Sequence, residues 1–188
     1  MDLVLFGIQG SGKGTQAKRL AAEFGYDIFE AGGELRKMAA GPTDLGKTVK
    51  SYIDEGHLVP FAIIMKVVEE AIAARKKDQK ILFDGIPRDS DQRHAFDAIM
   101  QRQGRDFRCI QILLDIDEAM ERIAGRAQSE GRADDADREK VRRRMDLFRE
   151  KTMPVIEGYV THGKVAKIDG KGDLDQVYER IRAAVSGF

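Results

Sequence analysis

The segment that most constrains this chain is Gly7-Ile8-Gln9-Gly10-Ser11-Gly12-Lys13-Gly14-Thr15. It lies between the apolar run Leu3-Val4-Leu5-Phe6 and a helical pattern that carries Ala17, Leu20, Ala21 and Phe24 on one face. Buried strand, glycine-rich loop and helix, in that order, form the context of a phosphate-binding loop. Glycines let the backbone curl until successive N–H groups point at anion oxygens. The helix that follows turns its positive N-terminal end toward the same anion. Lys13 adds a mobile point charge and Thr15 a hydroxyl. The usual pattern places Ser or Thr directly after the lysine; here Gly14 intervenes.

Beyond this loop, helical and strand patterns alternate, which predicts an α/β fold with a parallel sheet. Strands are expected at Leu3–Phe6, Tyr26–Phe29, Ile81–Phe83, Ile110–Leu114 and Val165–Ile168. Most are short apolar runs, as suits strands covered on both faces. Helices are expected at Lys13–Phe24, Gly33–Ala39, Leu45–Glu55, Phe61–Ala74, Asp89–Gln103, Asp117–Ala127, Asp137–Thr161 with a break at Pro154, and Leu174–Ala184. Two regions depart from the alternation. Residues 31–59 hold two short helices around a Gly41-Pro42 turn with no strand, which suggests a small helical lobe. Residues 128–136 are polar and join two helices, and the arginines on both sides favour a lid over an inert connector.

The 188 residues balance 32 basic against 32 acidic side chains. Zero net charge gives no reason to propose nucleic acid or an anionic membrane as partner. Cys109 is the only cysteine, so neither an intrachain disulfide nor a cysteine-based zinc cluster is available. There is no signal-peptide pattern at the acidic Met1-Asp2 start, and no apolar run near the ~18 residues of a membrane span. A cytoplasmic monomer is the expectation.

Phosphoryl transfer requires donor and acceptor held in line, a Mg²⁺ ion and cations to take up charge. Asp84 ends the apolar strand Ile81-Leu82-Phe83 at the ligand edge of a parallel sheet, where it could hold Mg²⁺ through water. Gly85-Ile86-Pro87 then forms a rigid turn that projects Arg88 from the same edge. Arg122 and Arg126 share one helix face, although Glu118 offers Arg122 an ordinary i, i+4 partner. In Arg142-Arg143-Arg144, consecutive residues point ~100° apart; with Arg143 paired to Glu139, Arg144 or Arg142 remains for a ligand. Arg36 lies in the helical lobe. The three histidines have no metal-ligand spacing.

Taken together, these residues resemble the nucleoside monophosphate kinases, and among them the adenylate kinases with a short lid. The resemblance covers nearly the whole chain. Gly7–Thr15 with Gln16 is similar to the family's phosphate loop, including the glycine between lysine and threonine. Asp84-Gly85-Ile86-Pro87-Arg88 with Gln92 resembles its second signature, and Gly56-His57-Leu58-Val59-Pro60 the end of its monophosphate lobe. Arg122 to Arg126, Gly131 to Asp135 and Val141 to Arg144 resemble the lid and its flanks, and Thr152-Met153-Pro154 with Tyr159 a late helix motif.

The resemblance implies a P-loop NTPase-like three-layer α/β/α fold with a five-stranded parallel sheet. It divides the chain into a core (1–30, 60–127 and 137–188), a monophosphate lobe (31–59) and a lid (128–136). It implies that Gly10, Ser11, Gly12, Lys13, Gly14 and Thr15 wrap the ATP phosphates, with Arg122, Arg126 and Gly172 also on ATP. Ala31, Arg36, His57, Leu58, Val59, Gly85, Arg88, Gln92, Arg132 and Arg144 would meet AMP. Lys13, Arg88, Arg126, Arg132 and Arg144 would surround the moving phosphoryl group, Asp84 would serve Mg²⁺, and structural zinc is not expected. Three features depart from the family pattern. Gln9 stands where most members have proline. Glu30-Ala31-Gly32-Gly33 replaces Ser-Thr-Gly-Asp. Ala31 itself resembles the uridylate/cytidylate kinases, whereas Gln92 resembles those acting on AMP. A kinase for UMP or CMP is therefore the alternative within the class, and a non-catalytic nucleotide-binding protein the alternative outside it.

Overall fold

The computed structural model describes residues 1–130, the last five by their backbone, and 137–188. Five parallel strands, β1 (Asp2–Gly7), β2 (Asp27–Glu30), β3 (Ile81–Asp84), β4 (Phe107–Leu113) and β5 (Val165–Asp169), form one sheet in the order β2-β3-β1-β4-β5. After β1 the chain runs to β2 on one side, and after β3 it crosses to β4 on the other. The order therefore reverses at β1, and ligands of such sheets bind beyond the carboxyl ends of the strands at this reversal.

Alternation along each strand builds two cores. Val4, Phe6, Phe83 and Cys109 face one layer, while Leu3, Leu5, Leu82 and Ile110 face the other. The first layer is stapled by an aromatic series in which Phe83 and Phe96 lie 5.0 Å apart edge-on, Phe96 and Phe107 5.3 Å, and Phe107 and Tyr159 5.5 Å. Each fully buried side chain of this size contributes roughly 1.5–3 kcal/mol. Against this layer pack α4 (Phe61–Ala73), α5 (Ser90–Arg102) and α8 (Met153–Thr161); against the other, α1 (Lys13–Phe24) and α9 (Leu174–Ser186). A third, smaller cluster joins Ile8 to Ala119 and Ile123 of α6 (Ile116–Glu130) and to Val141 and Met145 of α7 (Arg138–Leu147). It ties the phosphate loop to the helices on either side of 131–136. Among the described residues, no helix is long and apolar enough to cross a membrane.

Between β2 and α4 stand two helices and no strand, α2 (Ala31–Ala39) and α3 (Asp44–Glu55). Thr43 caps α3, its Oγ1 accepting from the Gly46 amide at 3.0 Å, which satisfies one of the amides a helix start leaves unpaired. Helix α2 begins two residues earlier than expected, directly off the strand, because Glu30 ends β2 with extended backbone and serves as the residue before the helix.

Strand β4 also begins earlier than the apolar run suggested, at Phe107, since pairing with β1 extends through Asp2↔Phe107. The expected break at Pro154 is displaced as well. Helix α7 leads without a gap into a π-helical turn over Phe148–Thr152, and that turn leads into α8. Pro154 falls in the first turn of α8, directly after the wide turn.

Asp2, at the start of β1, is almost fully buried. Its carboxylate accepts from Arg105 Nε at 2.7 Å, from Arg105 Nη2 at 2.9 Å and from the Ile81 amide at 2.8 Å. The bond to Ile81 ties β1 to β3, and the bonds to Arg105 tie both to the turn before β4. Removing one member of a buried pair strands the other charge, at about 3–5 kcal/mol. Asp2→Ala is expected to lose stability of that order in a urea or guanidinium titration; a midpoint equal to that of the native chain would refute this role.

Candidate active site

The carboxyl ends of β1, β2 and β3 open into a cavity of about 550 Å³. Its walls come from the loop after β1, from α2 and the end of α3, from the turn after β3, and from α7 with the π turn. The loop is bent by two left-handed glycines, Gly10 at φ 85° and Gly12 at φ 86°. At Gly10 space is decisive too, since an added Cβ would stand 2.6 Å from the Ala119 carbonyl oxygen of α6. The Ser11 amide donates to the Ile8 carbonyl at 3.1 Å, and the Ser11 hydroxyl turns inward beneath the loop, toward Gly7. Lys13 opens α1, and its Nζ lies 2.7 Å from the Gly7 carbonyl oxygen and 3.3 Å from that of Ile8. Gly14 and Thr15 are exposed on the cavity side.

Asp84 is 8 % exposed and beside Leu5 in register. Burial raises its carboxyl pKa above the usual value; Lys13 and Arg88 pull it back toward the charged form, and Glu30 opposes them. Desolvation beside the other cleft charges lowers the Arg88 guanidinium pKa while Asp84 opposes the change. Solvent nonetheless reaches the residue, and a guanidinium stays protonated in proteins.

The Arg88 backbone is held at both ends. Its amide donates to Gln92 Oε1 at 2.8 Å, and its carbonyl accepts from Thr152 Oγ1 at 2.8 Å. Its Nε donates to the Gly85 carbonyl at 2.7 Å. The Ile86-Pro87 peptide in this turn is cis. Gln92, which the resemblance places at the AMP base, lines the cavity and also holds the arginine through its Oε1.

Arg36, Arg144, Ala31, His57, Leu58 and Val59 line the same cavity. Arg36 Nη2 lies 2.8 Å from Glu30 Oε1. Of the arginine triplet, Arg144 lines the cavity, half-buried, while Arg142 and Arg143 are exposed. Arg143 departs from the expected pairing with Glu139. It donates to the Glu55 carbonyl and lies 3.4 Å from His57 Nε2, because α7 passes the end of α3 closely enough to offer partners across the cleft.

Arg122 and Gly172 stand apart from this cavity, on the other flank of the phosphate loop. Arg122 bonds to Glu118 along its helix and also donates to the Gly170 carbonyl at 3.2 Å. It thus lies against the loop that contains Gly172, whose φ is 107°. The Arg126 side chain, Arg132 and most of the expected lid lie outside the described residues. Among those described, no group of three or more His, Cys, Asp or Glu side chains could hold a metal ion.

A parallel sheet with this strand order, a lysine-bearing phosphate loop at its reversal and a ring of arginines facing it define a nucleotide-binding phosphotransferase of the P-loop class. The family model described as "Adenylate kinase" matches residues 5–164. Adenylate kinases similar to this chain include that of Stenotrophomonas maltophilia (strain R551-3), 38% identical with 100% of both chains covered. One from Thermus thermophilus is 39% identical over 97% of this chain and 96% of its own. That of Maricaulis maris (strain MCS10) is 37% identical over 98% of each. The chain belongs to the adenylate kinase family.

Proposed function

We propose that the protein transfers the γ-phosphoryl group of ATP to AMP, giving two ADP by direct in-line displacement. The observation that carries this reading is the convergence of Lys13, Arg36, Arg88 and Arg144 on one cavity beside Asp84. Four cations facing one cleft suit a triphosphate and a monophosphate brought end to end, more than the single nucleotide of a binding protein. The bond from the γ-phosphorus to the β-phosphate bridging oxygen breaks while an oxygen of the AMP phosphate bonds to that phosphorus.

In this reading the loop amides from Gly10 to Thr15 hold the ATP phosphates, and Lys13 swings off the Gly7 carbonyl to the transferring group. Arg122 lies along the adenine of ATP with the backbone near Gly172 behind it. Arg36 and Arg88 hold the AMP phosphate, Arg144 faces both nucleotides, and Val59, Gly85 and Gln92 border the AMP base. Residues 31–59 act as the monophosphate lobe and 128–136 as a lid that brings Arg126 and Arg132 to the phosphoryl group. Closure shuts out water, the competing acceptor.

Asp84 fits a magnesium role. It is a single carboxylate at the strand edge, where burial raises its pKa and Lys13 and Arg88 offset part of that rise, and Mg²⁺ is bound by one or two carboxylates with substrate phosphates and waters. When bound with ATP, the ion supplies charge neutralisation at the phosphates. The protein is read as a cytoplasmic monomer.

Ala31 on the cavity wall favours the second reading, a kinase for UMP or CMP. The test is ADP formation from MgATP with AMP, GMP, CMP and UMP in turn. Fastest turnover on AMP is expected. Faster turnover on UMP or CMP would move the assignment to the pyrimidines, and no turnover on any monophosphate would refute the transfer reaction.

A further inference from the structure

Glu30 ends β2, and its register partner on β3 is Asp84. Two carboxylates therefore stand side by side at the edge of the cleft. The charges of Lys13 and Arg88 favour the ionised form of Asp84 against its burial, while Glu30 is paired with Arg36 at 2.8 Å. The next residues are shaped around this pair. A Cβ added at Gly33 would stand 2.9 Å from Glu30 Oε2, and one at Gly32 would stand 3.0 Å from Arg36 Nη1. Neither glycine has a left-handed φ, so the backbone does not require them; a side chain at either would have to displace the flexible end of Glu30 or Arg36 from where the pair now sits. Glycine in a helix is unfavourable, and here two of them follow Ala31 in the first turn of α2. The pair is 40 % and 49 % exposed at its two side chains, and such a pair adds little to folding stability. Its weight falls on the ligand, because Glu30, Arg36, Arg88 and Arg144 all border the same cavity.

We propose that Glu30 is a built-in competitor for Arg36, seated by Gly32 and Gly33, that weakens the site's hold on the phosphate dianion of the nucleoside monophosphate. The inference rests on reading Arg36 as a ligand of that phosphate. An arriving dianion must displace the carboxylate or share the guanidinium with it, and in either case meets a like charge at the cleft wall. A unit charge several ångströms away in a partly solvated cleft changes affinity roughly tenfold. The same carboxylate acts on Asp84 and Arg88 through space, so its field extends across the monophosphate side of the cleft.

Glu30→Gln preserves shape and leaves an acceptor for Arg36 while removing the charge. The expected result is a KM for AMP about tenfold lower, and a dissociation constant lowered equally in a titration without ATP. The KM for ATP should not follow, and the difference from the native chain should shrink as salt is raised. An unchanged or raised KM for AMP would overturn the inference, since a carboxylate that merely aimed Arg36 would give that outcome. Arg36→Ala separates the two levels. A raised KM for AMP there, alongside an unchanged one in Glu30→Gln, would refute the competitor alone. A native KM in Arg36→Ala would refute the placement of Arg36 and the inference with it.

Discussion

Lys13→Ala is expected to lower kcat by roughly 10²–10³-fold, the cost of removing one preorganised donor from a developing charge, with the protein still folded. Lys13 is half-buried at the start of α1, and its Nζ donates to carbonyl oxygens of its own loop. Its removal leaves the two core layers untouched. A second effect has a definite sign. Lys13 is the largest influence drawing Asp84 toward its charged form. Without it the carboxyl pKa rises further, and the acid limb of the variant's pH–rate profile moves to higher pH. Rapid-mix assay of ADP formation over a pH series measures both. Native-like turnover in this variant would mean that the loop does not serve phosphoryl transfer.

Arg88→Lys should be nearly as damaging although it keeps the charge. The Arg88 backbone is fixed by Gln92 and Thr152, and Nε is spent on the Gly85 carbonyl. That leaves the two terminal nitrogens of a planar fork, aimed by bonds behind them, which suits bidentate contact with phosphate. An ammonium in its place has neither the second donor pair nor the Gly85 anchor. A fall of roughly 10²-fold in kcat/KM for the monophosphate, greater than any change in KM for ATP, is the expected outcome. Retention of native kcat/KM would show that a point charge suffices at this position.

The sheet was legible because strands covered on both faces must be apolar at every position, and Leu3–Phe6 and Ile81–Phe83 are. The phosphate loop was legible for a different reason: glycine spacing and a following lysine have few other uses. Asp84 and Arg88 could be placed because strand ends of a parallel sheet collect at one edge. What escaped were contacts made by proximity in space. Asp2 reads as an ordinary N-terminal acid until Arg105, over a hundred residues away, closes on it. Glu30 and Arg36 are six residues apart, a spacing that matches no helical pair; only the strand-to-helix junction brings them together. Arg143 found its partners on α3, across the cleft, where a reading confined to its own helix could offer only Glu139. The departure of Glu30 and Gly33 from the family pattern was visible residue by residue, but not that a Cβ at Gly33 would meet the Glu30 carboxylate.

The π turn over Phe148–Thr152 concerns chain length. Such a turn holds one residue more than the α turn it replaces. An extra residue in an unbroken α-helix would rotate everything before it by ~100° against everything after it, carrying Arg144 out of the cleft while Val155 and Tyr159 stayed in the core. The wide turn absorbs the surplus, and the two faces remain aligned. A deletion of one residue within 148–152 would thus leave α7 and α8 in registration. Where the deleted residue is Thr152 itself, the bond to the Arg88 carbonyl goes with it, so the residue that spaces the two helices also steadies the phosphate-facing turn.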